Sequence, residues 1–303
     1  MPAVCLPGRP AALLAACALA VSAAVAVPAA QAPDLPVVLD RATARVEDFF
    51  TRAQSLVCTE TVRVQPLNYS LTSEGFGRTV ESELRLSWEP GDDGEAAAEA
   101  QTLRQVLRVN GHAPRKNDRR NCTTPERHDS ETQVLSILLA QQRDAYQWTL
   151  AGAAKVDGRP ALLLDYQEKK KPALDVRVTE GDEDCLSFDI TGGDRGRLWI
   201  DAETFDVLRV DQRLSGQVST RTPKLLARRP GADTHIVVER LDRSYRFRRL
   251  SFDNPAETLV LPVSYTQLMV TQGAGAARQR VTTEYRNYRR FLTGARLVPD
   301  PPR

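Results

Sequence analysis

Through most of this chain apolar and polar side chains take turns, and a segment with that rhythm can bury one face only as a β-strand. Leu84, Leu86 and Trp88 alternate with Glu83, Arg85, Ser87 and Glu89. Leu208, Val210 and Leu214 share a face with Gln212, against Arg209, Asp211 and Arg213. Further strands are expected at about 57–66, 101–110, 145–151, 160–167, 185–190, 196–200, 235–250, 258–271 and 278–291. Turn residues punctuate them at Val156-Asp157-Gly158-Arg159, Gly192-Gly193-Asp194 and Gly273-Ala274-Gly275. The segment Asp201-Ala202-Glu203-Thr204-Phe205-Asp206 reads as a tight hairpin connection.

Two segments break the rhythm. Leu39, Ala42, Val46, Phe49, Ala53 and Leu56 recur at steps of three and four, with Asp40, Arg41, Arg45, Glu47 and Arg52 mainly on the other side. This predicts an amphipathic helix over about 36–55, which must dock on something apolar because it cannot stand alone. Ser130-Glu131-Thr132-Gln133 forms a capping box ahead of Val134, Leu135, Ile137, Leu138 and Leu139, which predicts a buried helix over about 130–143. The stretches 91–100 and 220–233 read as loop excursions, as does His112 to His128. The fold expected is mainly β (α+β): a curved antiparallel sheet or incomplete β-barrel. The N-terminal helix and the second, buried helix pack on its concave face.

The first thirty residues belong to a different class. Arg9 precedes an Ala, Leu and Val run that ends in small residues, the pattern of a cleavable secretory signal over 1–29. An alternative is a lipoprotein anchored at Cys17, since Leu14-Ala15-Ala16-Cys17 matches a lipobox by residue type. Either route leads to a periplasmic or secreted protein, with a mature chain that does not span the membrane. About 270 residues then remain, enough for one large core. We expect a single β-rich domain at 33–298 and a frayed tail at 299–303. Across the 303 residues, 41 basic side chains meet 39 acidic ones, a balance that gives no nucleic-acid footprint.

Chemistry leaves little trace. The nucleophile elbow Gly-x-Ser-x-Gly, the zinc pattern His-Glu-x-x-His, a phosphate-binding loop and a dinucleotide fingerprint are all absent. Cys122 and His128 share a loop with Asp118 and Asp129, but close cysteine pairs are missing, so no metal and no cofactor are expected. Export makes a disulfide plausible among Cys58, Cys122 and Cys185. Cys58 is in phase with Val62 and Val64 and should point inward, whereas Cys185 is out of phase with Leu186, Phe188 and Ile190 and should point outward. Cys122–Cys185 is therefore the favoured bridge, with Cys58 a buried thiol. Arg240, Arg243, Arg246, Arg248, Arg249, Arg286, Arg289 and Arg290 read as the wet face of two long strands, interleaved with Glu239, Asp242 and Glu284. An anionic partner is the other reading.

Two resemblances carry the functional expectation. Gly196-Arg197-Leu198-Trp199-Ile200-Asp201-Ala202-Glu203-Thr204, with Val207-Leu208-Arg209-Val210, resembles a hairpin of the lipoprotein-carrier proteins of the LolA, LolB and RseB type. Val156-Asp157-Gly158-Arg159-Pro160-Ala161-Leu162-Leu163-Leu164 is similar to a strand pair that precedes it there. Val109-Asn110-Gly111, Pro114-Arg115-Lys116, Leu259 to Ser264 and Tyr285 to Phe291 resemble uncharacterised exported bacterial proteins. The carrier resemblance implies an incomplete barrel whose helices plug a concave apolar cavity that receives acyl chains. The expectation is a non-enzymatic envelope carrier or sensor holding a lipid or lipoprotein acyl chain. The cavity lining expected is Leu84, Leu86, Trp88, Leu107, Val109, Trp148, Leu162 and Leu164. An envelope scaffold with a filled core and a protein partner is the alternative, and an enzyme of unrecognised type the third.

Overall fold

The computed structural model describes residues 33–53, 55–87, 101–115, 118, 131–179, 182–228, 233–273 and 278–290. The signal expected at 1–29, the tip at 91–100 and the tail at 299–303 lie outside them.

Helix α1, Leu35–Arg52, opens with a proline in its first turn and buries Val38, Leu39, Ala42, Thr43, Val46, Phe49 and Phe50. That is the face the spacing predicted. Its C-terminal end is held by Arg290, whose Nη1 donates to the Arg52 carbonyl at 2.6 Å, meeting one of the carbonyls a helix end leaves unpaired.

Thirteen strands follow among the described residues: β1 Ser55–Pro66, β2 Arg78–Ser87, β3 Gln101–Val109, β4 Tyr146–Val156, β5 Arg159–Glu168, β6 Ala173–Thr179, β7 Asp182–Thr191, β8 Asp194–Asp201, β9 Val207–Leu214, β10 Val218–Arg221, β11 His235–Asp253, β12 Ala256–Gln272 and β13 Arg278–Arg290. Ten of them form a sheet in the order β3-β2-β1-β13-β12-β11-β9-β8-β5-β4, and β10 pairs β11 beside β9. Every pairing in it is antiparallel, and the edge strands β3 and β4 do not pair with each other, so the sheet stays open rather than closing into a barrel. The β4–β5 turn places Asp157 at φ 49° and Gly158 at φ 82°, the double positive φ that a two-residue hairpin favours.

The buried helix expected over 130–143 is present, but its winding is not that of one α-helix. Residues Glu131–Leu138 wind as a 3-10 helix, Leu139 is extended, and only Ala140–Arg143 (α2) is α-helical. A three-residue period stacks i and i+3. It therefore lines up Thr132, Leu135 and Leu138, all buried. The Thr43 hydroxyl of α1 donates to the Leu138 carbonyl at 2.6 Å and ties the two elements together. The capping Ser130 lies outside the described residues. Sequence periodicity also left β6 and β10 unassigned. The charged run Lys169-Lys170-Lys171 before β6 reads as loop, although Leu174 and Val176 alternate with Asp175 and Arg177 beyond it.

Candidate functional site

Register fixes what faces inward. One row crosses all ten paired strands: Leu150, Leu164, Leu198, Val210, Tyr245, Tyr265, Thr283, Val62, Val80 and Val109. α1 and the 3-10 segment pack over the middle of this face in a cluster with Leu56, Cys58, Leu84, Leu86, Leu162, Leu164, Leu198, Ile200, Phe247 and Leu261. Cys58 is a buried thiol, as its phase required.

Between the second half of α1 and strands β9, β11 and β12 lies a cavity of about 200 Å³. Val46, Phe49, Leu135, Val207, Leu259 and Val260 supply its apolar walls, and Arg45, Asp48, Arg52, Asp206, Arg249 and Thr258 its polar rim. The rim charges are paired. Arg45 reaches Asp206 at 3.1 Å, Arg249 donates to the same carboxylate, and Arg52 bridges Asp48 at 3.0 Å and Glu257 at 3.2 Å. Arg45–Asp206 and Arg52–Glu257 fasten α1 to the sheet side at the cavity mouth. Their arginines are about a third or more exposed, whereas the Asp206 and Glu257 carboxylates are 7% and 13% exposed.

Two residues along the strands from the dry row, the inward row changes character. It reads Trp148, Tyr166, Gly196, Gln212, Arg243, Gln267, Val281, Val64 and Arg78. Beyond it a second apolar cluster begins, in which the β6–β7 hairpin brings Leu174 and Val176 against Leu214, Val218, Ile236, Val238, Leu241 and Met269. The polar row is thus a seam between two dry cores. Tyr146, Trp148 and Tyr166 form an aromatic triad with centroids 5.7–5.8 Å apart. Tyr166 lies across Gly196, where a Cβ would stand 2.8 Å from the phenol oxygen and 2.1 Å from the Asp211 carbonyl, so only glycine fits. Gln212 donates to Asp194, and Tyr265 to Gln267 at 2.6 Å. Burial pushes the Asp194 carboxyl up to about 6, against the pull of the nearby Arg243 guanidinium. Burial likewise holds the Tyr166 hydroxyl well above the usual phenol range, so it remains a neutral donor.

At the other edge, Glu60 and Arg104 make a buried two-point ion pair at 2.8 and 3.1 Å.

The residues expected to line a cavity separate. Leu84, Leu86, Leu162 and Leu164 share the main core, with Trp148 packed at its margin and its Nε1 donating to the Arg143 carbonyl at 2.9 Å. Val109 is buried outside that cluster. Leu107 is 41% exposed, because a bulge in the β2–β3 pairing, where Val106 and Arg108 oppose the consecutive Ser82 and Glu81, turns it outward. Trp88 and Cys122 lie outside the described residues, as does the side chain of Cys185. His128 and Asp129 of the imagined metal loop lie outside them too.

The arginine reading is corrected at three places. Arg240, Arg246, Arg248, Arg286 and Arg289 are exposed, as a wet face requires. Arg243 belongs to the inward seam, Arg249 turns to Asp206, and Arg290 lies 3.0 Å from Glu257 under the end of the sheet. Glu60 and Arg243 were detectable, since each is in phase with residues that point inward: Cys58 and Val62 for the first, Leu241 and Tyr245 for the second.

No family model matches the chain, and no curated protein matches it. Among solved structures it is similar to a DUF1329 family protein from Desulfovibrio piger, at 15% identity and a TM-score of 0.43, over 85% of this chain and 93% of that one. It is similar to a LolA superfamily protein from Nitrosomonas europaea at 8% identity and a TM-score of 0.30, over 85% and 93% of the two chains. The MucA/MucB complex structure from Pseudomonas aeruginosa matches at 12% identity and a TM-score of 0.21, over 84% and 99%.

Proposed function

We propose that this chain is a non-enzymatic carrier or sensor of the bacterial envelope, exported by its N-terminal segment, which takes the acyl chain of a lipid or lipoprotein between α1 and the sheet. The observation that carries this reading is the 200 Å³ cavity, apolar within and arginine-rimmed at its mouth. It is smaller than the roughly 300–1,000 Å³ of a drug-sized ligand site, so it admits a chain end as it stands. Leu84, Leu86, Leu162 and Leu164 lie in the core that α1 covers. A longer chain would reach them only if α1 gave up its apolar packing, its Thr43–Leu138 hydrogen bond and the Arg45–Asp206 and Arg52–Glu257 pairs. Among the described residues no helix is long and apolar enough to cross a membrane. The test is mass spectrometry of organic extracts from the protein purified without detergent. Co-purified lipid or lipoprotein tails are expected. A lipid-free protein that also fails to take up a fatty acid or a monoacylglycerol contradicts the reading.

One observation favours a protein partner instead. On edge strand β3, Leu103 and Leu107 are 62% and 41% exposed beside a backbone edge that is unpaired among the described residues. Pull-down from native envelope returning a stable partner, lost in Leu103→Arg, would support the scaffold reading.

A further inference from the structure

The polar seam holds a cation without a counter-charge in contact. Arg243 is half-buried on β11, level with Gln212 of β9 and Gln267 of β12. Among the described residues no side chain or carbonyl accepts a hydrogen bond from its guanidinium, and no carboxylate lies within ion-pair distance of it. Asp194 is near enough to feel the charge, yet takes its hydrogen bond from Gln212. Beside it stands a second unused donor: the Tyr166 hydroxyl is buried and has no partner. A buried donor left unpaired carries a real cost, so such a group points to something that completes it. The Arg243 guanidinium and the Tyr166 hydroxyl are near enough to feel each other, and Tyr146 and Trp148 pack on the Tyr166 ring. A guanidinium fork beside a hydroxyl donor is what an anionic oxygen group requires.

We propose that Arg243 and the Tyr166 hydroxyl form an anion site for the phosphate-type head group of a single-chain amphiphile. The head group stands on the seam alone, while the tail rests on the carrier reading above. Gly196 is part of the device, since a side chain there would drive the Tyr166 ring away from the seam.

Titration calorimetry with three probes below their micellar concentrations tests this: dodecyl phosphate, the uncharged monolaurin with a tail of matching length, and inorganic phosphate. The expected result is that dodecyl phosphate binds at least ten times tighter than monolaurin, and that Arg243→Gln removes that advantage while leaving monolaurin unchanged. Tyr166→Phe, which deletes one oxygen, is expected to weaken dodecyl phosphate about threefold; it carries the test if Arg243→Gln does not fold. Inorganic phosphate binding as tightly as dodecyl phosphate, with the same Arg243 dependence, supports the anion site and assigns it to free phosphate. Monolaurin binding with no gain from the phosphate, or a gain untouched by both variants, overturns the anion site and leaves the carrier reading standing. Binding of none of the three overturns both.

Discussion

Two neighbouring rows of the same sheet, two residues apart along each strand, have opposite characters. The row through Leu164, Leu198 and Val210 lies under α1 and the 3-10 segment and is dry. The row through Tyr166, Gln212, Arg243 and Gln267 is polar and falls between that cover and the β6–β7 hairpin. Backbone geometry is the same in both, so what differs is the covering element. A sheet face can be apolar only where something apolar is laid on it, and it stays polar where two covers fail to meet. Such a gap is where a ligand can be recognised by charge without unfolding either core.

The largest expected effect falls on the dry side. Phe50→Ala empties a fully buried site where α1 meets the sheet and should cost about 4 kcal/mol in urea unfolding, whereas a loss below about 1 kcal/mol would mean that α1 is not a true cover. Removing one member of the buried Glu60–Arg104 pair should cost about 3 kcal/mol, because the other charge is left in the interior. Glu60→Leu is the variant to make, and adding Arg104→Met should recover most of the loss, which a double-mutant cycle reads.

The seam should respond with the opposite sign. The folded-state value for Asp194 is raised from 3.8 to about 6, so ionisation opposes folding. That penalty is absent below about pH 4, grows as the pH climbs towards 6, and is complete above it. Asp194→Asn should therefore stabilise the protein by about 3 kcal/mol at pH 7.5 and by nothing at pH 3.5, measured as the difference between variant and parent unfolding curves. A gain independent of pH would mean that Asp194 is not a buried carboxylate in the seam. The smallest effect belongs to the cavity mouth, where Arg45→Ala should change stability by less than about 1 kcal/mol, Arg45 being 42% exposed.

These contrasts also mark what the amino-acid sequence makes legible. Period-two alternation suffices where β8 and β9 cross the dry core, because Leu198, Ile200 and Val210 alternate there with Arg197, Trp199, Arg209 and Asp211. The face of α1 is readable for the same reason: Ala42, Val46 and Phe49 repeat at helical spacing. The 3-10 winding is not readable, since Thr132, Leu135 and Leu138 also satisfy an i, i+3 pattern within an α-helix. Leu107 fails because a single bulge reverses its phase, and bulges leave no mark in the alternation itself. Arg243 is the most instructive miss. Its neighbours Asp242 and Arg240 give the strand a charged look, and only strict attention to phase places it inside. The cavity depends on which strands become neighbours, so it pairs residues of α1 with residues some 160 to 210 positions away, and no local pattern holds that information.

Filling the space between α1 and the sheet addresses the central claim most directly. Val260 is a half-buried wall of the cavity, and Val260→Phe places a ring there at modest packing cost. Monolaurin binding, measured alongside an unfolding curve to verify the fold, should fall at least tenfold. Unchanged affinity in a folded Val260→Phe protein would contradict the account, since the acyl chain would then have to lie elsewhere.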